Sequence, residues 1–61
     1  MNLEMDPNLL LSLINTKLRN NYKSLKTLCE EEGLDEALLK EKLLSIDYEY
    51  NQNSNQFKPK E

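Results

Sequence analysis

Apolar residues recur along this chain with the spacing of helices in three successive stretches. Leu10, Leu11, Leu13, Ile14 and Leu18 fall on one face at 100° per residue, with Asn8, Ser12, Asn15 and Arg19 opposite, which predicts an amphipathic helix over residues 7–20. Asp6-Pro7 supplies its start: the carboxylate can cap free N–H groups, and proline suits the first helical position because its missing N–H has no partner there. Asn20-Asn21 is the expected stop, since asparagine tolerates left-handed geometry. Ser24 is a second cap, and Leu25, Leu28 and Cys29 predict a short helix to about Glu32, stopped by Gly33, the only glycine. Asp35 is the third cap. The helix after it is expected to reach about Ile46, with Leu38, Leu39, Leu43 and Ile46 facing inward.

The remaining segment changes character. Tyr48-Glu49-Tyr50 alternates aromatic and polar residues, an amide-rich stretch follows, and then Phe57. Two readings compete. In the favoured one, residues 48–51 and 55–58 pair as a hairpin around Gln52-Asn53-Ser54, with Tyr48 and Phe57 packed near Leu44, Leu3 and Met5. In the other, the segment is a polar disordered tail. The fold class expected is mainly α: a three-helix bundle of helix-turn-helix outline with a small C-terminal β-hairpin, a minimal winged-helix-like domain over residues 1–58, with 59–61 loose. The expected core is Leu10, Ile14, Leu18, Leu25, Leu28, Cys29, Leu34, Leu39, Leu43 and Ile46.

Composition agrees with one small helical core. Thirteen of the 61 residues are leucine, while valine and tryptophan are absent. A chain this short buries only about 60% of its unfolded surface, and a walled pocket of about 300 Å³ or more is hard to build from three short elements. There is no histidine and a single cysteine, so neither an internal disulfide nor a Cys/His zinc site can form. The opening residues lack the basic start and apolar run of a signal peptide, and the longest apolar run is Leu9-Leu10-Leu11. A cytoplasmic, non-enzymatic protein without cofactor or metal is the expectation.

Charge decides against an ordinary DNA reader. The net charge is −3, and from Glu30 to Glu49 eight acids face two lysines, a net of −6. Cys29, Gly33 and Leu39 suit a helix-turn-helix, but the outer face of the last helix offers Ala37, Lys40, Glu41 and Leu44, which phosphates would avoid. The only basic concentration is Lys17, Arg19, Lys23 and Lys26, either a nucleic-acid patch or cations favourable at a helix C-terminus. Lys17 and Glu32 each fall on an apolar face, and each either snorkels outward or meets the other. Leu44, Tyr48, Tyr50 and Phe57 are candidate protein contacts. The leading expectation is a protein–protein interaction module, binding another protein or itself. Nucleic-acid binding through the Lys17–Lys26 patch is the alternative.

Asp6-Pro7 with its apolar run, Asn15-Thr16-Lys17-Leu18-Arg19, Ser24-Leu25 with Leu28-Cys29-Glu30, and Tyr48-Glu49-Tyr50 with Asn55-Gln56-Phe57 together resemble a short bacterial domain-of-unknown-function family, numbered 4250. The resemblance runs from Leu3 to Phe57. Residues 15–19 and 48–57 are its most specific parts. Two positions depart from the family pattern: Asp47 stands where it has glycine, and Asn51 where it has aspartate. The resemblance implies a small cytoplasmic protein and brings no catalytic or binding residue with it.

Overall fold

The computed structural model describes residues 3–60. Three helices, α1 (Pro7–Asn20), α2 (Leu25–Glu32) and α3 (Glu36–Leu44), are followed by an antiparallel hairpin of β1 (Tyr48–Asn51) and β2 (Gln56–Pro59). Each helix starts on the residue the sequence marks. Asp6 accepts from the Asn8 N–H, Ser24 from the Thr27 N–H, and Asp35 from the N–H groups of Ala37 and Leu38, so side-chain oxygens satisfy donors that have no partner inside the helix. Gly33 ends α2 at φ 70°, the left-handed geometry glycine adopts without strain.

The other two helix ends differ from expectation. Asn21 closes α1 at φ −120°, not in left-handed geometry. The N–H groups of Asn21 and Tyr22 both donate to the Lys17 carbonyl instead. The third helix stops at Leu44, two residues early. Ile46 N–H donates to Leu43 O and Asp47 N–H to Leu44 O, a tightened final turn. Asp47 then turns the chain into β1 at φ 61°, the left-handed geometry that glycine adopts without strain. The Asn51 side-chain oxygen accepts from the N–H groups of Asn53 and Ser54 at 2.9 and 3.2 Å, a turn that aspartate would build equally well.

Leu10, Ile14, Leu18, Leu25, Leu28, Cys29, Leu39, Leu43 and Phe57 form the buried core. Leu34 and Ile46, expected within it, are only partly buried at its margin. Leu38, expected to face inward, is 55% exposed. Leu39 and Leu43 already occupy the inner face of α3, and Leu38 lies about 100° round the helix from Leu39. Leu13 is likewise exposed at 37%.

The hairpin forms, with a register one residue from that expected. Its loop holds four residues, not three, because Asn55 joins the turn at φ 54°. Tyr50 therefore sits opposite Phe57, with ring centroids 5.6 Å apart. Phe57 enters the core, while Tyr48 stays half-buried and Leu44 lies outside the core, 44% exposed. Pro59, expected to be loose, closes β2 opposite Tyr48, and Lys60 N–H donates to Asp47 O at 2.6 Å. Glu61 lies outside the described residues.

Two substitutions test this architecture in denaturant melts. Leu28→Ala removes a fully buried side chain and should cost about 2–5 kcal/mol; a melt within a few tenths of the parent would contradict the packing. Asp47→Gly should raise stability by about 0.5–1 kcal/mol by relieving left-handed strain.

Candidate functional site

Three side-chain amides fasten the hairpin to α1. Asn15 takes both backbone groups of Phe57: its Oδ1 accepts from the Phe57 N–H at 2.7 Å, and its Nδ2 donates to the Phe57 carbonyl at 3.1 Å. Asn55 donates from Nδ2 to the carbonyls of Leu18 and Tyr22, both at 3.0 Å, and accepts the Tyr50 hydroxyl at 2.6 Å. The Leu18 carbonyl belongs to the last turn of α1, where no helical N–H is available to it. Gln56 Nε2 donates to the carbonyls of Asn15 and Asn55. The sequence pattern set Asn15 on a solvated face; here it is half-buried and bonded to the strand.

A second polar cluster joins α1 to α2. Glu32 Oε2 accepts from the Tyr22 hydroxyl at 2.7 Å and from Lys17 Nζ at 3.2 Å. Lys17 and Glu32 therefore meet. The Tyr22 bond first, and the Lys17 bond second, hold the Glu32 carboxyl below its ordinary range, against a smaller upward push from burial. The same bond to Glu32 pushes the Tyr22 phenol up, with burial and the charges of Glu32 and Glu31 adding to it. Burial pushes the Cys29 thiol up as well. Among the described residues, no group of three or more His, Cys, Asp or Glu could hold a metal ion.

The candidate residues divide by accessibility. Of the basic group, Lys17 is tied to Glu32, while Arg19, Lys23 and Lys26 are exposed and make no ion pair among the described residues. Of the candidate protein contacts, Phe57 is buried in the core and presents no surface. Tyr50 is half-buried, its hydroxyl also accepting from the Leu25 N–H at 3.3 Å. Tyr48 is half-buried, and Leu44 is open to solvent.

One apolar feature went unread in the sequence. Leu3 and Leu38, with Glu4, Glu41, Lys42 and Ser45 around them, line an open groove of about 420 Å³. The available signal was Leu38 beside Leu39: adjacent helical residues lie about 100° apart, so a narrow buried face holds only one of them. No described helix is long and apolar enough to cross a membrane.

Both clusters make measurable commitments. Asn15→Ala leaves two backbone groups of β2 without their partner and should cost about 1–3 kcal/mol, whereas Asn8→Ala on exposed helix surface should stay within about 0.5 kcal/mol. The Glu32 pKa is depressed by folding, so its contribution is complete above the usual value of about 4.3 and fades as pH falls through the lowered one. The Tyr22 pKa is raised, so its contribution is complete below about 10 and fades as pH rises through the raised value. The stability gap between the parent and Tyr22→Phe should therefore be widest between these limits and shrink on either side. A gap independent of pH would show that the Tyr22–Glu32 bond does not shift either group on folding.

Searches of curated proteins and of solved structures find no match to the chain. The family model described as a domain of unknown function, DUF4250, matches residues 4–57, a span holding Asn15, the Tyr22–Glu32 pair and the hairpin as far as Phe57, and the chain accordingly belongs to that family.

Proposed function

We propose that the protein is a non-catalytic interaction module, and that the groove between Leu3 and Leu38 receives an apolar side chain from a basic segment of a partner protein. The observation that carries this reading is Leu38 itself, more than half exposed on the floor of an open groove. The charge around it supports a basic partner. Glu4 and Glu41 line the groove against one cation, Lys42, and residues 30–49 carry eight acids against two lysines. The polar groups best suited to chemistry support no catalytic reading. Glu32, Tyr22 and Lys17 bond one another, and the Cys29 thiol is buried with its pKa raised. A single buried cysteine suits a reducing, cytoplasmic setting.

A photoreactive phenylalanine analogue at position 38 tests the reading in cells. The expected crosslink is to a protein segment with Lys or Arg beside an apolar residue. Made as a peptide, that segment should bind the parent at least about tenfold more tightly than Leu38→Asp, a difference of about 1.4 kcal/mol. Crosslinks to nucleic acid alone, or equal affinity for both proteins, would overturn it.

Nucleic-acid binding is the second reading, favoured by the exposure of Arg19, Lys23 and Lys26. With Lys17 engaged by Glu32, three cations remain there against a net charge of −3. Binding to random duplex DNA near physiological salt should be no tighter than about 10 µM. A tighter complex that weakens steeply with salt and with Lys23→Glu, measured by fluorescence anisotropy, would put this reading first.

A further inference from the structure

The two edges of the hairpin are not equivalent. The outer edge of β2 is closed, because Asn15 bonds both backbone groups of Phe57 and Pro59 has no N–H. The bond from Lys60 N–H to Asp47 O fixes the phase of the ladder. Residues opposite one another alternate between bonded and non-bonded pairs, so Asp47, Glu49 and Asn51 exchange bonds with β2. Tyr48 and Tyr50 consequently turn their N–H and C=O groups outward from β1. No hydrogen bond from another described residue meets these four groups. Beside Tyr50 runs a cleft of about 240 Å³ that reaches Ser24 and Leu25 of the α2 start and Glu36 and Lys40 of α3.

An open strand edge is a template for another strand. We propose that β1 is a docking edge for an extended segment of a partner protein, which adds as a third strand and carries Lys or Arg opposite Glu49. Glu49 is exposed, points away from the helices and makes no ion pair among the described residues. Lys58 stands opposite it on β2, so a basic residue on the added strand would place Glu49 between two cations. Facing side chains on adjacent strands approach to about 5 Å, where opposite charges stabilise and like charges repel. The same rule disfavours a second copy of this chain: the two-fold pairing that joins the Tyr48 and Tyr50 groups of both copies sets Glu49 against its own counterpart. The added strand's other face would lie toward the half-buried tyrosines and the cleft, whose lining sets Leu25 beside Lys26 and the paired Glu36 and Lys40, so short side chains fit there while the basic residue stays on the Glu49 face. The edge shares no residue with the Leu38 groove, so either surface can fail its test without the other.

The test uses the full chain labelled with nitrogen-15 and the probe acetyl-Thr-Val-Arg-Val-Thr-amide at millimolar concentration. Saturable shifts across residues 48–51 and slowed hydrogen exchange at the Tyr48 and Tyr50 amides are expected. The peptide with Glu in place of Arg should bind about threefold more weakly, the scale of one cross-strand charge pair, and Glu49→Lys should reverse that preference. Methylating the valine nitrogens should abolish binding. Unchanged exchange at Tyr48 and Tyr50, or equal binding of the methylated peptide, would overturn the proposal. So would a dimer by sedimentation in which those two amides are already protected without peptide.

Discussion

Asn15 grips Phe57 by both backbone groups, and the fold depends on that grip. Three short helices leave their core open on one side, and Phe57 is the side chain that covers it. An isolated two-stranded hairpin is marginal in water, so the ring stays in place only if something outside the hairpin holds the strand. A side-chain amide suits the task because it carries a donor and an acceptor side by side, as a neighbouring strand would. Asn55 adds a second attachment at the end of α1, and its left-handed backbone creates the four-residue loop that brings Phe57 opposite Tyr50. Register, loop and core are thus settled together.

Four of the helix boundaries were legible because each rests on local chemistry. Asp6-Pro7, Ser24, Gly33 and Asp35 act on their own immediate neighbours, and each does in the fold what its type suggests. The hairpin was legible as an element but not in register. The register depends on Asn15 and Asn55, whose partners lie 42 and 33–37 residues away in sequence. Polarity alone sends an asparagine to the surface, and nothing in the spacing distinguishes a solvated Asn15 from one that completes a sheet edge. The end of α3 was missed for a related reason. Leu44-Ser45-Ile46 would continue a helix, but the hairpin needs the chain to reverse at Asp47.

The candidate site was legible in the same uneven way. The charges of Lys17 and Glu32 stood out because both interrupted apolar faces, but the pattern allowed each to snorkel outward as readily as to meet, and only the packing of α1 on α2 brings them together. Tyr22 could not be added from the pattern, since it lies in the link between α1 and α2 and its hydroxyl is directed only by the fold. Leu38 was misassigned because periodicity fixes which residues share a face, while the packing of α1 and the hairpin on α3 fixes how wide the buried face is. With Leu39 and Leu43 filling that width, Leu38 is left on the rim beside Leu3.

These assignments leave the molecule with polar interactions gathered at the part-buried seams of α1 with the hairpin and with α2. Amides that would make a sticky surface are bonded to α1, and the outer edge of β2 is closed by a side chain and a proline. Had both edges been open, the hairpin would invite pairing on either side and with its own copies. Closing one leaves a single edge open, and the Glu49 carboxylate at its centre is what the proposed docking would use to favour a strand of opposite charge. The Leu38 groove leans the same way, with Glu4 and Glu41 against Lys42 and Glu41 outside any ion pair among the described residues. On the two proposed readings, one surface built from side chains and one from backbone would take a basic partner, although they share no residue and sit on different elements.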